Sequence, residues 1–225
     1  MFKGYSEKMI DFLWGIRFNN ERGWFMEHKD EYLEYLYKPT AALAEEVCAA
    51  LNERAKDLAI EPHVTRIYRD ARRLHGRGPY KDGLWFSMRR EKRDWREVPC
   101  FYFEVNPESY SFGMGFYAAP PLVMKAFRRD MDEDAQKMKK LLHAALTNDT
   151  FMLTGEEYKR KKPCAEEAFA PWYNRRSIAL DCTRPYDEIA FSPELVPTLA
   201  EEFASLLPLY RYFEQLFERV AMSVE

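Results

Sequence analysis

The stretch CFYFEVNPESYSFGMGFY, residues 100–117, sets two runs of aromatic and apolar residues on either side of the break Asn106, Pro107, Glu108 and Ser109. Cys100 to Val105 and Tyr110 to Tyr117 have the composition that fits a pleated, half-buried strand. Pro107 stands where a type I turn takes proline, at its second position. The stretch therefore predicts an antiparallel hairpin. Gly113 and Gly115 share one face of its second strand with Ser111, opposite Phe112, Met114 and Phe116, so a helix or a neighbouring strand is expected to approach the glycines closely.

Upstream of the hairpin, Val64 to Tyr68 and Leu84 to Met88 read as further strands, and downstream Ser177 to Asp181 reads as a fifth. Before them the periodicity is helical. Ser6 is placed to cap a helix to about Phe18, with Met9, Phe12, Leu13 and Ile16 on one face, ended by Asn19 and Asn20. A second helix carries Trp24, Phe25, Tyr32 and Leu36, and Pro39 opens a third with Leu43, Val47 and Leu51, up to a turn near Glu61 and Pro62. After the hairpin, Pro120 and Pro121 open a helix through Leu122, Ala126 and Phe127. Asp132 is the expected cap of the next, and C-terminal helices start near Ser192 and Pro193 with a kink at Pro208. Helices, hairpin strands and helices in succession spell an α+β fold, with a mostly antiparallel sheet of about four or five strands packed with N-terminal and C-terminal helices. No repeat and no βαβ alternation is visible, which argues against a doubly wound nucleotide fold.

A chain of 225 residues with 47% hydrophobic and 16% aromatic content buries a proper core, and without a Gly/Ser/Pro linker it reads as a single domain over residues 1–225. Cys48, Cys100, Cys164 and Cys182 lie far apart in apolar surroundings, which suits reduced thiols. The N-terminal segment is interrupted by Glu7, Lys8, Asp11 and Arg17, unlike a signal peptide, and no window reaches a membrane span. A soluble, cytoplasmic protein with no membrane partner is expected.

Charge is the strongest functional clue. Between Arg66 and Arg96 fall eleven of the chain's 34 Lys and Arg but four acids, a formal +7, whereas the remainder carries −10. That segment begins RIYRDARRLHGRGPYK. If His63 to Asp70 is extended, Arg66, Tyr68 and Asp70 face one way and Thr65, Ile67 and Arg69 the other. Asp70 is then placed to fix a guanidinium by a bidentate bond, leaving other donors for a guest oxyanion.

Three readings follow. In the first, Arg66, Arg69, Arg72 and Lys81 line a site for a small anionic, phosphorylated ligand, with Asp70 orienting a guanidinium and Tyr80 donating its hydroxyl. Asp70 or Tyr80 would be the proton-transfer group of any catalysis there. In the second, residues 66–96 track a nucleic-acid backbone, with Lys92, Arg93 and Trp95 at a hairpin tip. In the third, the chain is a structural or protein-interaction domain whose arginines form internal ion pairs. The acids Glu91, Asp94 and Glu97 dilute the tip, and the run Lys159 to Lys162 reads as a similar solvated loop.

No motif names a cofactor. His28, His63, His75 and His143 include no pair at helical spacing, and no phosphate loop or nucleophile elbow is present. A carboxylate site for magnesium stays open.

The pattern R-x-x-R-D-x-R followed by P-Y-K, read at Arg66, Arg69, Asp70, Arg72, Pro79, Tyr80 and Lys81, resembles a bacterial family of conserved hypothetical proteins, domain of unknown function 2461. The resemblance extends to Asn19, Asn20, Trp24 and Phe25, to Gly113 and Gly115 before Tyr117 and Pro120, and to Arg128. Arg73, Gly76 and Arg77 depart from the family pattern, and the stretch after Lys159 fits it loosely. The resemblance implies a single domain and a role for the arginine segment, and it implies no mechanism.

Overall fold

The hairpin forms as β3 (Cys100–Val105) and β4 (Ser109–Gly115). Its turn is closed by Asn106, whose backbone N–H donates to Ser109 O at 3.0 Å and whose Oδ1 accepts the N–H groups of Glu108 and Ser109, each at 2.9 Å. In this computed structural model, which describes residues 1–70, 72, 76–90, 96–147 and 149–223, four further strands are β1 (Glu61–Val64), β2 (Leu84–Arg89), β5 (Met152–Thr154) and β6 (Ala179–Pro185). The fold is α+β, with an antiparallel sheet in the order β1-β2-β3-β4-β6-β5.

Six strands replace the expected four or five. The addition is β5, three residues long and too short to show a period, which pairs Met152 with Asp181 and Thr154 with Ala179. The first strand also moves. It occupies Glu61–Val64 instead of Val64 to Tyr68, so Glu61 and Pro62 lie in it and not in a turn; Pro62 is tolerated because β1 is the sheet's edge. Beyond it the chain stays loosely extended: Thr65 N–H donates to Trp85 O at 2.9 Å, and Tyr68 makes an isolated bridge with Tyr80. The close neighbour at Gly115 is a strand: a Cβ there would lie 2.5 Å from Ile178 O and 2.6 Å from Ala179 Cα.

The chain divides into two compact units. The first comprises residues 1–88, 102–112 and 183–201. It opens with α1 (Glu7–Phe18), α2 (Arg22–Glu27) and α3 (Lys29–Glu31), then runs through a π-helical turn at Tyr32–Tyr37 into α4 (Lys38–Arg54). Met9, Phe12, Leu13 and Ile16 of α1 are buried, as are Leu43, Val47 and Leu51 of α4, each stripe following the helical period. Ser6 stands at the start of α1 but makes no side-chain cap. Phe103 stacks on Phe86 at 5.4 Å in the core of this unit.

The second unit comprises residues 89–101, 113–182 and 202–225. Its helices include α5 (Pro121–Glu133), α6 (Ala135–Ala144), the short α7 (Ala170–Tyr173) and α9 (Leu207–Met222), which follows α8 (Leu195–Ser205). Asp134, not Asp132, caps α6 by accepting Lys137 N–H at 3.1 Å, and Leu122 of α5 is exposed. Pro208 does not kink a helix; it sits in the first turn of α9, where its missing N–H has no partner to lose. Phe101 stacks on Tyr210 at 4.7 Å, and Phe213 meets Phe116 and Phe127 at 5.1 and 5.3 Å. No described helix is long and apolar enough to cross a membrane.

Candidate functional site

The basic segment is held by Asn20, in the link between α1 and α2, and by Phe25 of α2. Asn20 Oδ1 accepts Tyr80 N–H at 2.9 Å and Asn20 Nδ2 donates to Tyr80 O at 3.0 Å, so one side chain satisfies both backbone groups as a strand would. Gly78 is the only residue type that leaves room for this amide, because a Cβ there would run into the Asn20 side chain. Phe25 then stacks on the Tyr80 ring at 4.3 Å, and Tyr68 packs 5.2 Å from the same ring.

Along residues 65–70 the side chains alternate. Ile67 is buried and Arg69 half-buried, whereas Arg66, Tyr68 and Asp70 are exposed. Arg69 reaches inward: its Nε donates to Tyr80 O at 2.6 Å and its Nη2 to Asp82 Oδ1 at 3.1 Å. Asp82 receives a second guanidinium from α1, Arg17 Nε at 2.7 Å, and Arg17 also pairs with Glu108 in the hairpin turn. Burial alone would raise the Asp82 carboxyl, but the Arg17 hydrogen bond and the Arg17 and Arg69 charges outweigh it and hold the group below its ordinary value of 3.8.

The outer residues are arranged differently. Arg72 lies 88% exposed, its Nε and Nη2 donating to Asp70 Oδ1 and Oδ2 at 3.0 and 2.8 Å, a bidentate fork. Arg72 N–H also donates to Asp70 Oδ1, at 3.0 Å. Lys81 Nζ donates to Arg66 O at 2.6 Å, and desolvation lowers its pKa below the usual lysine value. Burial raises that of Tyr80.

The structure thus brings Asp70 to Arg72 and Lys81 to the Arg66 backbone, and draws Arg69 away to Asp82. Arg17, Asn20, Asp82 and Glu108 were not among the candidate site residues named from sequence, although Asn20 belongs to the resemblance and Glu108 to the predicted turn. Asn20 carried a signal, the Asn-Asn pair, which reads equally well as a helix end. Arg73 and the hairpin-tip residues Lys92, Arg93 and Trp95 lie outside the described residues. Among the described residues no group of three His, Cys, Asp or Glu is placed to hold a metal ion.

Fold and site together define an α+β protein that braces a surface arginine motif against its N-terminal helices. The chain matches the family described as "Conserved hypothetical protein (DUF2461)" over residues 8–212, and it belongs to that family. No curated protein matches it.

Proposed function

We propose that the protein binds a small anionic, phosphorylated ligand at the outer face of the arginine motif, through Arg66 and Arg72 with Lys81 beside them. The observation that supports this is the Arg72 fork. Asp70 holds the guanidinium in one orientation at the surface while using only two of its five N–H donors, so a further acceptor meets a preset cation. Asp70 serves as the orienting group in this reading, with both oxygens occupied, and the role is binding.

A second reading is favoured for the inner residues. Arg69, Asp82, Arg17 and Glu108 form a chain of charge pairs joining α1, the motif and the hairpin turn, and Arg69 belongs to that brace instead of the ligand face. We also place the protein in the cytoplasm on the strength of four free cysteines. We keep the single domain as well, because the unit boundaries fall inside β2, β3, β4, β6 and α8 and avoid linkers.

The test is thermal shift with phosphate, sugar phosphates, nucleotides, dicarboxylates and a short oligonucleotide at two salt concentrations. A ligand at 100 times its Kd adds about 2.7 kcal/mol, or about 5 to 10 °C for a chain this size. One small phosphorylated ligand is expected to give that shift and to lose it in Arg66→Ala and Arg72→Ala. A response to the oligonucleotide alone, falling steeply with salt, would replace this reading with nucleic-acid binding.

A further inference from the structure

The side chain that stands between the outer cations of the arginine motif is aromatic. Tyr68 is 53% exposed, on the outward face of residues 65–70 that it shares with Arg66 and Asp70. Residues two apart on one face of an extended chain are about 7 Å from each other at the backbone. Arg66 therefore flanks Tyr68 on one side. Asp70, which holds the Arg72 guanidinium, flanks it on the other.

A tyrosine exposed singly needs no explanation, but Tyr68 is fixed in place by its neighbours. Lys81 N–H donates to Ile67 O at 2.7 Å and Arg69 N–H to Pro79 O at 2.8 Å. These two bonds set Tyr68 opposite Tyr80 in a non-hydrogen-bonded pair, the arrangement in which antiparallel side chains stand closest. The Tyr68 ring accordingly lies 5.2 Å from the Tyr80 ring, and it meets Phe25 edge-on at 5.8 Å. Phe25 is buttressed in turn by Tyr32 of the π-helical turn, at 5.5 Å. Phe25, Tyr32 and Tyr80 are all buried, so three enclosed rings support one open ring. Asp70 presets the Arg72 guanidinium and the aromatic cluster presets Tyr68, and groups already ordered lose little freedom when a ligand arrives.

We infer that Tyr68 is a stacking platform for the organic part of the ligand, which makes that ligand a phosphomonoester bearing an aromatic ring, of the nucleoside monophosphate class. The inference rests on the phosphate reading of Arg66 and Arg72 and adds what the phosphate is attached to. In a nucleoside monophosphate one pentose separates base from phosphate, and it bridges the step from Tyr68 to a flanking guanidinium. A sugar phosphate without a ring would use the guanidiniums and leave Tyr68 in water. Every base has a π-face, so the platform selects for a ring and not for the identity of the base.

Calorimetric titration of the full chain tests this with adenosine monophosphate (AMP), phenyl phosphate and glycerol 3-phosphate, phosphomonoesters of like charge that differ in the attached group. Adenosine supplies the ring without the phosphate. Wild type is expected to bind AMP and phenyl phosphate at least about fivefold more tightly than glycerol 3-phosphate, the weaker end of the range for stacking on one aromatic side chain. Tyr68→Leu keeps bulk but loses the ring, and it is expected to abolish that preference. Tyr68→Phe is expected to keep it. Arg72→Ala is expected to weaken all three phosphomonoesters. Thermal melts without ligand verify that each variant folds, and if Tyr68→Leu does not, the ranking of probes on wild type and Tyr68→Phe still decides.

Equal binding of the three phosphomonoesters, or a preference that survives in Tyr68→Leu, overturns the inference and leaves the phosphate reading standing. Adenosine binding as tightly as AMP, or no response to any phosphomonoester, overturns the phosphate reading and this inference with it.

Discussion

Arg17 and Asp82 are 65 residues apart in the chain and 2.7 Å apart in space, and the contact ties the first helix to the end of the arginine motif. Asp82 accepts two guanidiniums at once, from Arg17 and Arg69. Asp82→Ala is expected to destabilise the protein by about 1 to 3 kcal/mol, because two half-buried cations lose a shared acceptor. Urea denaturation measures it. A double-mutant cycle of Arg17 and Asp82 should return a coupling of about 1 kcal/mol, and additivity of the two single variants would show that the pair contributes nothing.

The same carboxyl sets an acid dependence. Its folded pKa lies below the unfolded value, so its stabilisation is complete above about pH 4 to 5 and is lost as pH falls through the folded value. Wild type should therefore lose more stability than Asp82→Asn between about pH 4 and pH 2. Parallel acid-titration curves for the two proteins would contradict the assignment.

Tyr80 separates packing from chemistry. Its ring is 3% exposed and stacked on Phe25, so Tyr80→Ala is expected to cost about 3 to 5 kcal/mol by leaving a cavity. Tyr80→Phe keeps the ring and should stay within about 0.5 kcal/mol of wild type. If the phenylalanine variant instead abolishes ligand binding at unchanged stability, the hydroxyl belongs to the ligand face.

The cysteines should differ in reactivity. Burial pushes the Cys48 thiol up to about 11 and the Cys100 thiol up to about 12, whereas Cys164 is partly exposed. Maleimide at pH 8 is expected to label Cys164 in the folded protein and to reach Cys48 and Cys100 only after unfolding. Mass spectrometry of the digested protein reads this directly.

Gly115→Ala probes the approach of β6 to β4. The added carbon meets backbone and not a movable side chain, so a loss of about 1 to 3 kcal/mol is expected. A melting point equal to wild type would mean that the strands separate at little cost.

Long periodic elements could be read from the chain. The hairpin around Asn106 to Ser109, the buried stripe of α1 and the α+β class all follow from alternation or from the helical period. β5 escaped because three residues carry no period, and Pro62 suggested a turn because an edge strand tolerates proline that an inner one would not. At the motif, the outward and inward faces of residues 65–70 were legible from strand alternation. The partner of Arg69 was not, since Asp82 is one acid among 37 Asp and Glu and only the fold selects it. Arg128 was marked by the resemblance alone; its burial and its two flanking tyrosines come from the fold.

The two ends of the sheet are poor templates for another chain. At one margin Pro62 removes an amide donor from a strand four residues long, and at the other β5 offers only three residues. An incoming β-segment would find too short a ladder at either margin to register against. Growth of this sheet into a shared or fibrillar assembly by strand addition is thereby discouraged by one imino acid and by brevity.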